Sequence, residues 1–466
     1  MESKDMKPLI ASALFGVIMM FTALSVKEKK SVTLIATLLL AALTGVNIWE
    51  LVTTMGAISE PLFGGMIRFD SFSIWFNTLM TGITLLYVLL CGKNIERVGQ
   101  HVAEYYGLIF FILCGINLMS AYGNLLILFL GIEIISIPQY ILAGSDKRNL
   151  KSSEASLKYF LMGAFSTGIL LMGIALLYGA MGTFNIYEFN FMQGGLNAMS
   201  VSGILFLIVA FGFKVSAAPM HFWTPDVYDG APTPFTAFMA TIVKAAIFVG
   251  FLRLFMDAFG GISASWGLVI AIITALTLFI GNITAVFQQS VKRMLAYSSI
   301  AQAGFMMFAV LSINATGMKG IIIYAVAYSI ATIGMFAVLM KLKDYTYDGF
   351  NGLAKKQPLL AFVATIFLCS LAGIPLTGGF FAKYFVLTAV MENGTQYIWL
   401  VIFALLMAAV SVYYYFKVLM AMYFKKGEAE LAIEVTSTDK FFLGLAAAMV
   451  IAIGVAPDIL LTWLKN

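Results

Sequence analysis

Residues 211–250 decide the fold and read FGFKVSAAPMHFWTPDVYDGAPTPFTAFMATIVKAAIFVG, two apolar segments that flank a proline-rich turn. Each segment contains one lysine, Lys214 in the first and Lys244 in the second. A lysine deep in a membrane-spanning helix costs roughly 2.5 to 3.5 kcal/mol on insertion scales, so it indicates a functional site by default. The alternative is a lysine near a helix end that reaches the interface. Both lysines lie too far from the segment ends for that, which favours the functional interpretation.

The composition places the chain in a membrane. Of its 466 residues, 61% are hydrophobic and 11% are charged, and the mean hydropathy is +0.95. Soluble proteins have about 25% charged residues. At about 20 residues per span, the sequence predicts an all-α polytopic membrane protein with fourteen transmembrane helices, at 9–26, 31–55, 71–91, 105–122, 124–144, 154–181, 201–219, 232–255, 265–287, 293–312, 318–341, 358–391, 396–424 and 440–464.

The basic residues predict the orientation of these spans. Seventeen lysines and arginines lie in the odd-numbered loops, and six lie in the even-numbered loops and tails. Because loops rich in lysine and arginine stay in the cytoplasm, both termini are expected on the non-cytoplasmic side. The net charge of +5 therefore reflects topology, and we expect no nucleic-acid partner.

The chain has few residues that bind metals or redox groups. Cys91, Cys114 and Cys369 lie far apart in apolar segments, which excludes a CxxC-type metal or iron–sulfur site. The two histidines, His101 and His221, are too few for the two bis-histidine haems of an electron-carrying membrane subunit. We therefore expect no metal and no cofactor in this chain.

One acidic residue lies near the middle of a span. The fifth span, LLILFLGIEIISIPQYIL at 125–142, carries Glu133, with Pro138 beyond it. The carboxyl group is either a neutral acid held by hydrogen bonds or the partner of a buried cation. Because Lys214 and Lys244 follow within 111 residues, the sequence favours pairing.

Two spans are predicted to be broken. Pro219 ends the seventh span five residues after Lys214, and Pro375 interrupts the twelfth span eight residues before Lys383. Broken backbone at membrane depth is tolerated only where protein or water surrounds it, so we expect a hydrated cavity there.

The two breaks are separated by five spans, and an odd offset is typical of an inverted repeat. The predicted organisation is an N-terminal three-helix segment at 1–104, a first five-helix repeat at 105–255, a second inverted repeat at 256–424, and a C-terminal helix at 425–466.

Polar side chains between the lysines are candidates for a relay. These residues are His221, Gln302, Tyr324 and Tyr328. Bonds to neighbouring backbone explain such side chains equally well, and any proton that passes from Lys244 to Lys383 would need water.

Three motifs carry a family resemblance: PMHFWTPDVYDGAPTPFTAFM at 219–239, YSSIAQAGF at 297–305 and AGIPLTGGFFAKYFVL at 372–387. They resemble the subunit N family of the proton-pumping NADH:quinone oxidoreductase, respiratory complex I. The resemblance covers essentially the whole chain, and it includes the absence of the long lateral helix expected in the related subunit L. Lys383 also fits, because subunit M is expected to have glutamate there.

The resemblance implies a role for each buried charge. Glu133 and Lys214 would control proton entry, Lys244 would be the connecting site, and Lys383 would be the exit. A nearby carboxylate favours the charged form of a lysine and burial favours its neutral form, so a moving charge would switch Lys214 between holding and releasing a proton.

The resemblance also implies the setting. The chain would be a non-redox subunit of a translocase in the inner (plasma) membrane, next to other antiporter-like subunits. Quinone, NADH, FMN and the iron–sulfur clusters would then belong to other subunits of the complex.

Other functions stay open at this point. The nearest is a subunit of a multisubunit cation/proton antiporter, or of a related complex that takes electrons from ferredoxin or reduced F420. A self-contained transporter for an organic solute and a purely structural membrane subunit are the others.

Overall fold

The computed structural model describes residues 6–54, 61–191 and 196–462, and these residues form helices joined by short loops. Twelve of the described helices are long and apolar enough to cross a membrane. The predicted all-α, multi-pass fold class is therefore confirmed. In chain order, the helices of more than one turn are α1 Lys7–Ser25, α2 Lys29–Thr54, α3 Ser71–Val98, α4 Val102–Ala121, α5 Leu125–Ala143, α6 Leu150–Met181, α7 Ala198–Lys214, α8 Trp223–Gly230, α9 Thr233–Asp257, α10 Ser263–Val286, α11 Val291–Ser312, α12 Ala315–Leu339, α13 Pro358–Ala372, α14 Gly378–Glu392, α15 Ile398–Tyr423 and α16 Ser437–Val455.

Two crossings are interrupted, and they are the two that the sequence predicts. The apolar helices α7 and α13 are too short to span a bilayer alone, and each is followed by a short break and a second helix, α8 or α14. Twelve continuous crossings and two interrupted ones agree with the fourteen predicted spans.

The seventh crossing breaks earlier than predicted. Helix α7 ends at Lys214 rather than at Pro219. The reason is local backbone geometry, because Ser216 has a φ of 67°, a left-handed conformation that an L-residue enters at a cost of roughly 1–2 kcal/mol. The hydroxyl of Thr277 on α10 accepts the freed N–H of Ala218 at 2.9 Å. Lys214 therefore lies at the break itself.

The twelfth crossing breaks around Pro375 as predicted. Helix α13 ends at Ala372, and Gly373 follows with a φ of 87°. The N–H of Gly373 bonds to the carbonyl oxygens of Cys369 and Ser370, which closes the last turn in the way typical of a glycine C-cap. The carbonyl groups of Leu371 and Ala372 are left facing the gap between the two half-helices.

Helix α9 contains a local change of helix type that the sequence does not signal. Residues Met239–Val243 form one π-helical turn, directly before Lys244. The local sequence, MATIV, contains neither proline nor glycine. Single π-turns inside α-helices are frequent at functional sites, and this one directly precedes a predicted site residue.

The buried centre of the fold consists of α9, α11 and α12. The apolar windows of α9 and α12 are entirely buried, whereas α1 and α2 are mostly exposed at the periphery. Helix α9 carries Lys244, so one of the predicted site residues belongs to the most enclosed element.

The helix contacts favour the predicted repeat. In the first half, α4 packs against α5 and α9, and α6 packs against α7. In the second half, α10 packs against α11 and α15, and α12 packs against α13 and α14. The same contacts therefore recur five crossings later, while the repeat boundaries at 105–255 and 256–424 remain a prediction.

We predict that Gly379→Ala destabilises the chain by about 1–3 kcal/mol, because overpacking at a close contact has costs of that size. An added Cβ at Gly379 would collide with the backbone carbonyl of Ser370 across the break. The matched control is Gly168→Ala on α6, where an added Cβ meets open space and alanine favours the helix by up to about 1 kcal/mol. Thermal unfolding of the purified chain in detergent measures both changes. Equal stability of the two variants would contradict the close packing of α13 on α14.

Candidate functional site

Lys214 is held by hydroxyl groups of α5. Its Nζ donates to Ser136 Oγ at 2.9 Å and to Tyr140 OH at 3.4 Å. Glu133 lies one turn earlier on α5, where its Oε1 accepts a hydrogen bond from Thr167 Oγ1 of α6 at 2.8 Å.

The two charges do not form a direct ion pair, because the amine bonds to Ser136 and the carboxylate bonds to Thr167. The predicted pairing is therefore corrected. Residues three apart share a helix face, so Ser136 presents a closer acceptor on the face that carries Glu133. An effect of the carboxylate on Lys214 without direct contact remains a prediction.

Lys244 is enclosed by α11 and α8. Its side chain is 2% exposed. The Nζ donates to the backbone carbonyl of Ser299 at 3.0 Å and also to Ser299 Oγ, and it lies 5.7 Å from the centre of the Tyr228 ring. Its two hydrogen bonds therefore go to uncharged oxygens of one residue.

Lys383 is held by the end of a helix. It is 8% exposed, and its Nζ donates to the carbonyl oxygens of Leu371 at 3.1 Å and Ala372 at 2.8 Å. These are the last two residues of α13, where unpaired carbonyl groups form the negative end of the helix dipole. The break at Pro375 is thus what supplies the counter-charge for Lys383.

A polar network joins Lys383 to α11. Gln302 donates from Nε2 to the Leu371 carbonyl at 2.9 Å, the same oxygen that Lys383 uses, and to Tyr415 OH at 3.1 Å. Tyr324 OH donates to Gln302 Oε1. The predicted relay residues Gln302 and Tyr324 are therefore brought together beside Lys383.

A small cavity lies next to this network, and the centre of a water molecule could occupy about 10 Å³ of it. Such a volume is about the minimum for one water. The cavity lies between the two halves of the twelfth crossing, and it is lined by Gln302, Tyr324, Tyr328, Ser370, Leu371, Gly379 and Ala382.

Several hydroxyl groups of α12 border the network without protein partners. Tyr328, Ser329 and Thr332 are each less than 5% exposed, and their hydroxyl oxygens have no hydrogen-bond partner among the described residues. Buried polar groups of this kind are usually satisfied by ordered water. The surroundings of Tyr328 are thus polar enough to hold water, which the prediction for this region requires.

His221 lies apart from the network. It is in the loop between α7 and α8, 6% exposed, with its ring packed against Phe222. Its Nδ1 has no hydrogen-bond partner within the described ranges. The structure therefore does not bring His221 into contact with Lys214 or Lys244 by a hydrogen bond.

Aromatic rings fill the region between Lys214 and Lys244. The Tyr140 ring packs on Tyr159 with centroids 4.8 Å apart, and Tyr159 stacks on Trp223 at 4.7 Å. Trp223 then packs on Tyr228 at 5.8 Å, the ring that faces Lys244. The connection on this side is therefore made of ring contacts, whereas Lys383 is approached through hydrogen bonds.

Charged groups fix the second half of the seventh crossing. Asp226 on α8 accepts from Lys158 at 2.9 Å and from Arg293 at 3.0 Å. Lys158 also pairs with Glu154 at 2.8 Å, an i,i+4 pair at the start of α6. This network ties α8 to α6 and α11, and the contribution of Asp226 was not anticipated.

Sequence reasoning missed several contact residues, of which Ser136, Ser299 and Tyr415 are the most important. Ser136 has a signal, since it follows Glu133 by three residues on one face of an apolar helix. Tyr415 has none, because it lies more than one hundred residues from its partners Ser298 and Gln302.

The described residues contain no group of three or more histidine, cysteine, aspartate or glutamate side chains that would hold a metal ion. The chemistry available at the lysines is therefore that of amines, hydroxyls, amides and one carboxylate.

Comparison with known proteins identifies the family. Residues 122–408 match the family described as NADH:quinone oxidoreductase/Mrp antiporter, TM. NADH-quinone oxidoreductase subunit N from Trichlorobacter lovleyi is 40% identical, over 91% of this chain and 87% of the relative. A chain of respiratory complex I from Thermus thermophilus superposes with a TM-score of 0.82 at 31% identity, over 98% of both chains.

The Mrp complex from a Dietzia species contains a chain with a TM-score of 0.85 but 19% identity, over 99% of this chain and 96% of that chain, which is a likeness of fold alone. The sequence motifs, the two broken crossings and the 40% identical relative agree. This chain belongs to the NADH:quinone oxidoreductase/Mrp antiporter membrane-subunit family and, within it, to the subunit N family.

Proposed function

We propose that this chain is a proton-translocating membrane-arm subunit of an NADH:quinone oxidoreductase. One observation supports this above the others: each of the three predicted site lysines, the half-buried Lys214 and the buried Lys244 and Lys383, donates hydrogen bonds only to uncharged oxygens, from hydroxyl or backbone carbonyl groups. Removing a proton from such an amine leaves no unpaired carboxylate in contact with it. A lysine in a tight buried ion pair would strand its partner's charge, which is strongly unfavourable.

The roles follow the order of the charges along the chain. Glu133 and Lys214 control proton entry, Lys244 is the connecting site, and Lys383 is the exit. Glu133 acts on Lys214 through its charge without contact, so a small displacement of α5 against α7 would change how strongly Lys214 holds its proton. Thr167, which donates to Glu133, holds the carboxylate in place.

Transfer from Lys244 toward Lys383 uses the surface of α11. Ser299 accepts from Lys244, and Gln302, three residues later, shares the Leu371 carbonyl with Lys383. The buried hydroxyls of α12 and the small cavity beside Gln302 supply sites where water would complete the path. Gln302 and Tyr415 act as positioning residues in this path.

The aromatic cluster of Tyr140, Tyr159, Trp223 and Tyr228 separates Lys214 from Lys244 in this conformation. We assign it the role of a barrier that opens when α8 moves. Asp226 and its partners on α6 and α11 restrain that motion at the other end of α8.

The setting follows from the family. The chain lies in the inner (plasma) membrane with both termini on the non-cytoplasmic side, next to other membrane-arm subunits. Quinone, NADH, FMN and iron–sulfur clusters act in other subunits, and quinone reduction supplies the driving energy.

An alkaline phosphatase domain fused to the C-terminus is expected to be active, because the enzyme would lie on the non-cytoplasmic side. An inactive fusion would contradict this orientation.

The second candidate is a subunit of a cation/proton antiporter complex, or of a complex fed by ferredoxin or reduced F420. The fold supports it, since an Mrp complex chain superposes on this one. Mass spectrometry of the proteins that co-purify with the chain separates the candidates, because redox subunits with NADH-binding sequences are expected only for the first.

We predict that Lys383→Arg abolishes proton translocation while the complex assembles. Arginine keeps the positive charge and can donate to the same helix-end carbonyls, but it cannot release its proton in practice. Glu133→Ala and Lys214→Ala should likewise reduce proton pumping sharply, by tenfold or more if each is an essential proton-transfer group. Acidification by membrane vesicles, normalised to assembled complex on native gels, measures these effects.

The matched control is Lys417→Met on α15. Lys417 is also a lysine within a predicted span, and its Nζ lies 4.1 Å over the Tyr347 ring, outside the Lys214–Lys244–Lys383 contacts. Near-normal pumping is expected from this variant. Normal coupled pumping by Lys383→Arg, or by both Glu133→Ala and Lys214→Ala, would refute the assignment of these residues.

We predict that Tyr415→Phe lowers pumping by about two- to tenfold, the range that corresponds to loss of a net hydrogen-bond contribution of about 0.5–1.5 kcal/mol. The hydroxyl bonds both Gln302 and Ser298, so its loss should loosen Gln302 beside Lys383. The control is Ser411→Ala on the same helix, where the hydroxyl bonds only the Ala408 carbonyl of α15. A hydrogen/deuterium effect on the rate that is unchanged in Tyr415→Phe would argue for a purely structural role.

A further inference from the structure

A basic cavity lies at the end of the fold where most lysines and arginines are found. It has a volume of about 470 Å³, within the range of small-molecule sites, roughly 300–1,000 Å³. It lies between the end of α3, the start of α4 and the loop that joins α5 to α6. Four cationic side chains and one histidine line it, against a single carboxylate, Asp146: Lys29, Arg97, His101, Lys147 and Arg148.

Most of this charge is not neutralised by the protein. Arg97, Lys147 and Arg148 are exposed and have no carboxylate within ion-pair distance among the described residues. Lys29 donates to the carbonyl oxygens of Glu96 at 2.8 Å and Gly99 at 2.6 Å, so its position is fixed without loss of its charge.

The acidic groups nearby are few and already engaged. Glu104 on α4 bonds His101 Nδ1 at 3.0 Å, and the Asp146 carboxylate accepts the backbone N–H of Arg148 at 3.4 Å. Helix α4 begins at Val102, and His101 before it makes no side-chain cap, so the positive end of the helix dipole adds to the field in the cavity. The cavity is therefore suited to an anion.

Helix α4 carries a half-exposed apolar stripe beside the cavity, and we call this stripe, with the apolar side chains that flank it, the apolar groove. Helices α1 and α5 pack on α4, and both present exposed apolar side chains at the basic end: Phe21 and Leu24 on α1, and Ile137 and Ile141 on α5. Half-buried Leu108 and Phe111 on α4 form the floor. A groove of this kind fits an acyl chain whose headgroup lies in the basic cavity.

We propose that this cavity and groove bind one anionic phospholipid, with its phosphate among Arg97, Lys147 and Arg148 and an acyl chain along α4. The combination of a basic cavity and an apolar groove favours a lipid over a free anion, which would need only the first. It also favours a lipid over an acidic protein segment, which would not fill an apolar groove. Basic pockets between transmembrane helices recognise lipid headgroups in this way.

Native mass spectrometry of the full chain, delipidated in detergent and titrated with phosphatidylglycerol or phosphatidylcholine, tests the proposal. The wild-type chain is expected to retain phosphatidylglycerol in preference to phosphatidylcholine. The double variant Arg97→Gln/Arg148→Gln should weaken phosphatidylglycerol binding by about tenfold or more, given about a fivefold effect per basic residue near the membrane surface.

The control is Lys425→Gln/Lys426→Gln, which removes two exposed charges from another loop of the same basic end. This variant should bind phosphatidylglycerol normally. An equal loss in both double variants would mean a general surface-charge effect and would overturn the site. Unchanged binding in Arg97→Gln/Arg148→Gln would leave the cavity to another anion, such as an acidic protein segment, and would also overturn it.

A groove variant separates a lipid from free phosphate. Leu108→Trp should obstruct the acyl chain and reduce phosphatidylglycerol binding, and inorganic phosphate in tenfold excess should not displace the lipid from the wild-type chain. Displacement by inorganic phosphate, together with normal lipid binding by Leu108→Trp, would identify a free-anion site and refute the lipid assignment. Thermal unfolding of each variant, compared with the wild type, confirms that it is folded.

Discussion

The structure depends on one constraint, which is that an ammonium group inside an apolar crossing must be given oxygen atoms to bond. Carboxylates are the strongest such acceptors, but they would lock the proton on the amine. In this chain the contacts come instead from hydroxyls and from carbonyl groups that a broken helix leaves free. The break in the twelfth crossing is therefore part of the lysine site, since an unbroken helix would use the Leu371 and Ala372 carbonyls internally.

Helix α11 connects the second half of the site. Ser299 faces Lys244, and Gln302 reaches the carbonyl shared with Lys383. Residues three apart lie on one helix face, so a single helix positions groups for two lysines on different elements. A π-turn directly precedes Lys244, and Tyr415 of α15 accepts a hydrogen bond from Gln302.

The groups that stabilise Lys214 in the first half of the molecule differ from those that stabilise Lys383 in the second half. Lys214 bonds hydroxyl groups of α5, and a series of ring contacts leads from its partner Tyr140 to Tyr228 beside Lys244. Lys383 has the end of a helix as its counter-charge, together with polar groups that can hold water. These differences agree with the proposed roles, in which the proton affinity of Lys214 is switched at entry and Lys383 stays accessible to water at the exit. At the basic end, the α8 ion pairs and the cavity around Arg97 place further charges where the helices meet the membrane surface.

The sequence by itself determined the membrane class, the fourteen crossings, the two interrupted ones and the presence of four charged site residues within the spans. Each of these follows from local properties: apolar length, the missing N–H of proline, and the cost of an isolated charge in an apolar run. Only the tertiary structure decided what each charge contacts. Ser136 rather than Glu133 bonds Lys214, and Tyr415 joins Gln302 across more than one hundred residues. Contacts between distant segments depend on how helices rotate and pack against each other, and apolar runs that are hydrophobic on every face give no periodic signal of that rotation.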